Sequence, residues 1–126
     1  MHKIFLDDIR DPYKTKHVDL PLGPWVVVRD YKQFIRTIKE IWIKENSLPS
    51  FVAFDHDLGV AAYSGDYDSE KTGYDCAKWL VEFCLENDLD FPEYLCHSMN
   101  PVGKERIISV IESYKRFKNK SSTTLS

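Results

Sequence analysis

Short apolar runs in this sequence end in residues able to bind cations, move protons or hold a phosphate. Ile4-Phe5-Leu6 runs into Asp7-Asp8 and then Arg10; Phe51-Val52-Ala53-Phe54 runs into Asp55-His56-Asp57; Tyr94-Leu95-Cys96 runs into His97-Ser98-Met99-Asn100. Carboxylates at that density repel one another unless protons or a cation neutralise them, and clustered oxygen donors suit a hard divalent ion such as Mg²⁺ or Mn²⁺. His56 and His97 add imidazoles that titrate near neutral pH and can serve as general base or, protonated, as general acid. Each residue also has a plainer reading. Asp after a strand often accepts hydrogen bonds from nearby backbone, so Asp7, Asp8 and Asp57 could be turn formers, and a strand-end His often links backbone groups. Acidic clusters on different strands, brought side by side by the fold, favour the chemical reading.

A phosphate would fit next to them. Asn100-Pro101-Val102-Gly103-Lys104 opens a helix directly after the last apolar run, which aims backbone N–H groups and the positive helix end at the same edge. Arg10 and Lys104 can add charge there, although a lone Gly-Lys pair is not a phosphate loop and Lys104 could equally be solvated. Gly73, at the start of another helix, can let a ligand approach the backbone or can simply belong to the cap.

The elements that must position these residues follow from periodicity. The apolar runs named above, with Trp25-Val26-Val27-Val28, read as strands, and their unbroken apolarity suits a parallel sheet. Helical stripes follow the last three of them. Residues 31 to 45 carry Tyr31, Phe34, Ile35, Ile38, Ile41 and Trp42, with Asp30 and Gln33 as a capping-box-like start. Gly73 to about Asp88 carries Cys76, Ala77, Leu80, Phe83 and Cys84, with Thr72 and Asp75 as its cap. The last helix starts at Pro101 behind the cap residue Asn100 and carries Ile107, Val110, Ile111 and Tyr114. Alternation of this kind predicts an α/β fold, and ligands of open α/β sheets bind beyond the carboxyl ends of the strands. Asp7 to Pro24, with three prolines and no helical stripe, should be an irregular crossover. Leu58 to Lys71 should be a long acidic lid; its Asp66-Tyr67-Asp68-Ser69-Glu70 lacks the glycine and terminal glutamate spacing of a calcium loop.

Composition narrows the class. The 126 residues, 43% of them hydrophobic, suit one domain, expected over 1–118, followed by a polar, flexible tail over 119–126. With 17 Lys plus Arg against 20 Asp plus Glu, the charge of −3 argues against a protein that coats nucleic acid. Cys76, Cys84 and Cys96 have neither paired nor metal-ligand spacing, which predicts buried thiols and a cytoplasmic setting. No apolar run nears the ~20 residues of a membrane span.

Taken together, Leu6-Asp7-Asp8-Ile9-Arg10, Phe54-Asp55-His56-Asp57-Leu58-Gly59, Thr72-Gly73-Tyr74-Asp75 and His97-Ser98-Met99-Asn100-Pro101-Val102-Gly103 resemble the cyclic-phosphate processing receiver-domain family. The resemblance spans residues 4 to about 111. It implies a three-layer, flavodoxin-like sheet in the order 2-1-3-4, an acidic metal site made of Asp7, Asp8 and Asp55, and a role in processing cyclic phosphates at RNA ends or on nucleotides. An ordinary phosphoacceptor receiver carries a Lys after a fifth strand and a small hydroxyl residue near the position of His97. Here no fifth strand is expected, so phosphorelay through Asp55 is disfavoured.

The leading expectation is therefore a Mg²⁺- or Mn²⁺-dependent phosphoesterase, with His97, His56 and Asp57 as catalytic groups and Arg10, Gly73, Asn100, Gly103 and Lys104 around the substrate. The alternatives are a non-catalytic module that binds a nucleotide or protein, and a metal-dependent nuclease. For assembly, the irregular first crossover should cover its face of the sheet poorly. Either the last helix folds back over that face in a monomer, or a homodimer buries it.

Overall fold

In a computed structural model of the protein, residues 2–14, 20–58 and 71–124 are described, with side chains as far as Lys120. The strands are β1 (Lys3–Leu6), β2 (Trp25–Val28), β3 (Phe51–Phe54) and β4 (Glu93–Cys96); the helices are α1 (Tyr31–Glu45), α2 (Gly73–Asn87) and α3 (Pro101–Thr124). All strand pairs are parallel and the order is β2-β1-β3-β4, the receiver-like α/β arrangement. The register puts Leu6 beside both Val28 and Phe54, and Phe54 beside Cys96. The strands therefore end level with one another. Most of the proposed lid, 59–70, and part of the first crossover, 15–19, lie outside the described residues.

Side chains alternate across a sheet. Ile4, Leu6, Val28, Val52, Phe54 and Cys96 face one side, where they form a core with Phe34, Ile38 and Ile41 of α1, Ala77, Leu80 and Cys84 of α2, and Ile107, Ile111 and Tyr114 of α3. The three helices among the described residues thus share one face. The predicted back-folding of the last helix does not occur: α3 packs against α2 and β4, because its Ile107, Ile111 and Tyr114 stripe completes the same core. Of the opposite face, Phe5 and Ala53 are fully buried, while Trp25, Val27, Phe51 and Leu95 are half-buried.

The helix starts follow their caps, with one adjustment. Asp30 accepts from the Gln33 N–H at 2.8 Å, but the Gln33 side chain reaches past the cap to accept from the Arg29 N–H at 2.7 Å. The Asp75 carboxylate accepts from both the N–H and the hydroxyl of Thr72. Asn46 and Asp88 end α1 and α2 in the left-handed region, which their short polar side chains tolerate. Beyond Gly103 the sequence holds no glycine or proline to stop a helix, and α3 runs on to Thr124 through most of the segment expected as tail. Among the described residues no helix is long and apolar enough to cross a membrane. Cys76, Cys84 and Cys96 are buried free thiols, and burial pushes the Cys84 thiol up to about 12.

Candidate metal and phosphate site

The strand register continues one residue beyond each strand. The Asp7 N–H donates to the Val28 carbonyl at 3.1 Å, the Asp55 N–H to Leu6 at 3.1 Å, and the His97 N–H to Phe54 at 2.9 Å. Asp7, Asp55 and His97 therefore stand abreast at the carboxyl edge, on the parity of Phe5, Ala53 and Leu95. All three are buried, and one donor atom from each lies within 4.8 Å of the others. Among the described residues this is the group with a metal-ligating arrangement. Asp8 does not belong to it. The chain turns away directly after Asp7, whose Oδ1 accepts from the N–H groups of Ile9 and Arg10, both at 2.9 Å.

Asp7 thus unites the structural and the chemical reading. One oxygen shapes the turn, and the other accepts from His97 Nε2 at 3.0 Å with the Arg10 guanidinium at 3.5 Å. The His97 ring lies flat on Phe5, centroids 4.6 Å apart and planes within 6°. Arg29 ties the turn down from β2 by donating to the carbonyls of Asp7 and Arg10 at 3.0 and 2.6 Å. Sequence reasoning missed this clamp; its position at the end of the strand that neighbours β1 is the signal that could have found it.

The two carboxyl groups are pushed in opposite directions. Burial raises Asp7, but bonds from His97 and from the Arg10 and Ile9 amides outweigh it and hold the group at about 2, below its ordinary 3.8. Asp55 is raised, by burial and then by the charge of Asp7, and its only hydrogen bond among the described residues is from the His56 N–H to Oδ1. Because the folded pKa of Asp7 is depressed, its contribution to stability is full above the unfolded value and fades as pH falls through the folded one. Asp7→Asn should cost about 2 kcal/mol at neutral pH. That gap should close between about pH 4 and pH 2, as read by denaturant unfolding across pH.

A second cluster sits on the helix side of the edge. His56 Nδ1 pairs with Asp57 Oδ1 at 2.9 Å, and the same oxygen accepts from Asn100 Nδ2 at 3.3 Å. A carboxylate only accepts, so with Asp57 ionised the proton sits on His56 Nδ1 and the neutral ring's lone pair is on Nε2. That Nε2 is buried and has no hydrogen-bond partner among the described residues.

The glycines expected beside substrate instead admit the protein's own chain. A Cβ on Gly73 would stand 1.6 Å from the Asp55 carbonyl oxygen, and one on Gly103 would stand 2.2 Å from the His56 ring. The Gly73 N–H donates to the His56 carbonyl, and the Gly103 N–H is taken by the Asn100 side chain at 3.0 Å. Neither amide is offered to a phosphate, because N-capping consumes the one and the approach of α2 to β3 the other. Lys104 is exposed on the first turn of α3, and its charge is felt at Cys96.

Asp7, Asp55 and His97 fit a divalent ion on geometric grounds. Adjacent ligands on a cation with bonds of about 2.1 Å stand about 3.0 Å apart, and the three donor atoms lie within 4.8 Å of one another, so a bound cation would take the place of the proton now between His97 Nε2 and Asp7 Oδ2. A cation would also remove the repulsion that raises Asp55. The donor set of two carboxylates and one imidazole suits Mn²⁺ at least as well as Mg²⁺.

Comparison with curated proteins and with solved structures finds no match. The profile of the cyclic-phosphate processing receiver domain, by contrast, matches residues 2–113, a span that takes in all four strands and both clusters at their ends. With the 2-1-3-4 parallel sheet, that match means the chain belongs to the family of cyclic-phosphate processing receiver domains.

Proposed function

We propose that the protein is a metal-dependent phosphoesterase that opens a cyclic phosphate carried by a nucleotide or an RNA end. What supports this is the juxtaposition, at one sheet edge, of a metal-type donor set and a carboxylate-oriented imidazole. Asp7, Asp55 and His97 would hold a divalent cation, which would supply Lewis-acid polarisation of the phosphoryl group. Arg10, half exposed beside Asp7, binds a phosphate oxygen. With its ring swung far enough to uncover the buried Nε2, His56 accepts a proton from the attacking water as the water oxygen bonds to phosphorus. One ring P–O bond breaks, and the imidazolium returns the proton to the leaving oxygen, giving a phosphomonoester. Asp57, itself held by Asn100, fixes the tautomer that leaves Nε2 as the base. His97 Nε2, bonded to Asp7 as the protein stands, would turn to the metal once one is bound, so the proton-transfer role expected for His97 passes to His56.

Incubation of the pure protein with Mn²⁺ or Mg²⁺ and a 2′,3′-cyclic nucleotide, a 2′,3′-cyclic-phosphate RNA and an internally linked RNA tests this reading. Ring opening without internal cleavage is the expected result. Internal cuts would make the protein a nuclease, and saturable binding with no turnover would make it a binding module; either overturns the proposal.

Asp55→Asn has an expected effect of two signs. In metal-free buffer the variant should melt a few degrees above the wild type, because it lacks the buried carboxylate that Asp7 repels. Titration calorimetry should show its Mn²⁺ affinity reduced at least about tenfold. Unchanged metal binding would remove the donor-set assignment.

A further inference from the structure

We propose that the groove between α2 and α3 receives the base of the substrate, so that recognition reaches beyond the cyclic phosphate to the nucleobase itself. This rests on the function proposed above and adds the subsite for the part of the molecule that does not react. The groove is an open depression of about 520 Å³ between Tyr74 of α2 and Val102, Arg106, Ser109 and Ser113 of α3. That size falls within the range of small-molecule sites.

Its mouth adjoins the reacting edge. Tyr74 directly follows Gly73, which is pressed on the Asp55 carbonyl, and Val102 directly precedes Gly103, which is pressed on the His56 ring. From Val102 to Ser113 the groove follows α3 away from the edge for about 16 Å at 1.5 Å per residue. At the near end the Arg106 guanidinium lies over the Tyr74 ring, 4.2 Å from its centroid. Tyr74 backs the guanidinium from one side, and Arg106 is exposed on the other. A flat, exposed guanidinium with a ring behind it is a surface on which a nucleobase stacks.

Charge and polarity favour the base over a second phosphate. Glu105 lines the groove next to Arg106 and offsets its charge, while the metal-type cluster and Arg10 already claim the phosphate at the edge. Val102 and Met99 are 67% and 68% exposed beside the mouth, leaving apolar surface uncovered where a ribose and base would cross. The hydroxyl of Ser109, one turn further along, stands to bond a base edge.

The test compares two probes in the presence of Mn²⁺: adenosine 3′-monophosphate, and glycerol 2-phosphate, which carries the phosphate without a base. The wild type should bind the nucleotide about tenfold more tightly by calorimetry, the scale of one base stacked on a planar side chain. Arg106→Ala should erase that preference and leave glycerol phosphate binding unchanged. Arg106→Lys, which keeps the charge and loses the plane, should erase it too. Arg106 is on the surface, so neither variant threatens the fold. Equal affinity for both probes in the wild type, a preference that survives in either variant, or no binding of either probe overturns the groove assignment. A base preference that behaves as expected, in a protein that opens no cyclic phosphate, overturns the catalytic reading alone.

Discussion

Gly73→Ala should destabilise the protein by about 3 kcal/mol or more, the upper end of what overpacking a core costs, because here backbone must move. The added methyl would stand 1.6 Å from the Asp55 carbonyl oxygen, 2.7 Å from its carbon and 2.9 Å from the His56 Cα. All of these are backbone atoms at the end of β3, and none can swing aside. Relief requires α2 to lift from the strand, which breaks the Gly73 N–H bond to the His56 carbonyl and displaces Asp55 from Asp7. Thermal unfolding should show a midpoint lower by on the order of 10 °C for a domain of this size. Metal binding should weaken along with it. Gly103→Ala is the matched control: its Cβ meets the side chain of His56, which can swing about its Cα–Cβ bond at the cost of the bond to Asp57, where a backbone carbonyl cannot move. The cost there should be about 1–2 kcal/mol, with metal binding retained. Equal losses in the two variants would show that the α2 start is not the tighter joint.

The second large effect separates the two histidines. His97→Gln should lower Mn²⁺ affinity by about 100-fold and turnover with it, because the imidazole belongs to the donor set and holds Asp7 in place. His56→Gln should leave metal affinity at the wild-type level and lower turnover by about 10²- to 10⁴-fold, the usual worth of a positioned general base. Asp57→Asn should fall between, since the ring keeps its place against Gly103 but faces an amide that can donate as well as accept and so no longer fixes one tautomer. Calorimetry and ring-opening rates measured on the same preparations read the two quantities apart. If His56→Gln keeps a near-normal rate, the proton passes through another group and the His56–Asp57 pair is structural.

The sequence by itself determined that the candidate site lies at strand ends. The runs Ile4-Phe5-Leu6, Phe51-Val52-Ala53-Phe54 and Tyr94-Leu95-Cys96 are too apolar to be anything but buried, and the polar residues that follow them must emerge at one edge of a parallel sheet. It determined the helices as well, because a 3.6-residue stripe with a cap at its start is a local property; Asp30, Thr72 and Asn100 all stand at helix starts. Which side chains meet could not be read from it. Asp7 and Asp8 are equivalent in the sequence, as are His56 and His97, yet Asp7 joins Asp55 and His97 while Asp8 stays outside and His56 turns toward α3. Residues from positions 7, 55 and 97 become neighbours only through the lateral register of three strands, and a shift of one residue would exchange every partner. The same holds for the helix layer. The stripe on α3 announces burial but not against what, and only packing with α2 decided that the last helix stays on the occupied face and opens the groove at Tyr74 and Arg106. Local periodicity depends on nearest neighbours along the chain, whereas register and helix packing depend on contacts between distant segments whose free energies exist only once the chain has folded.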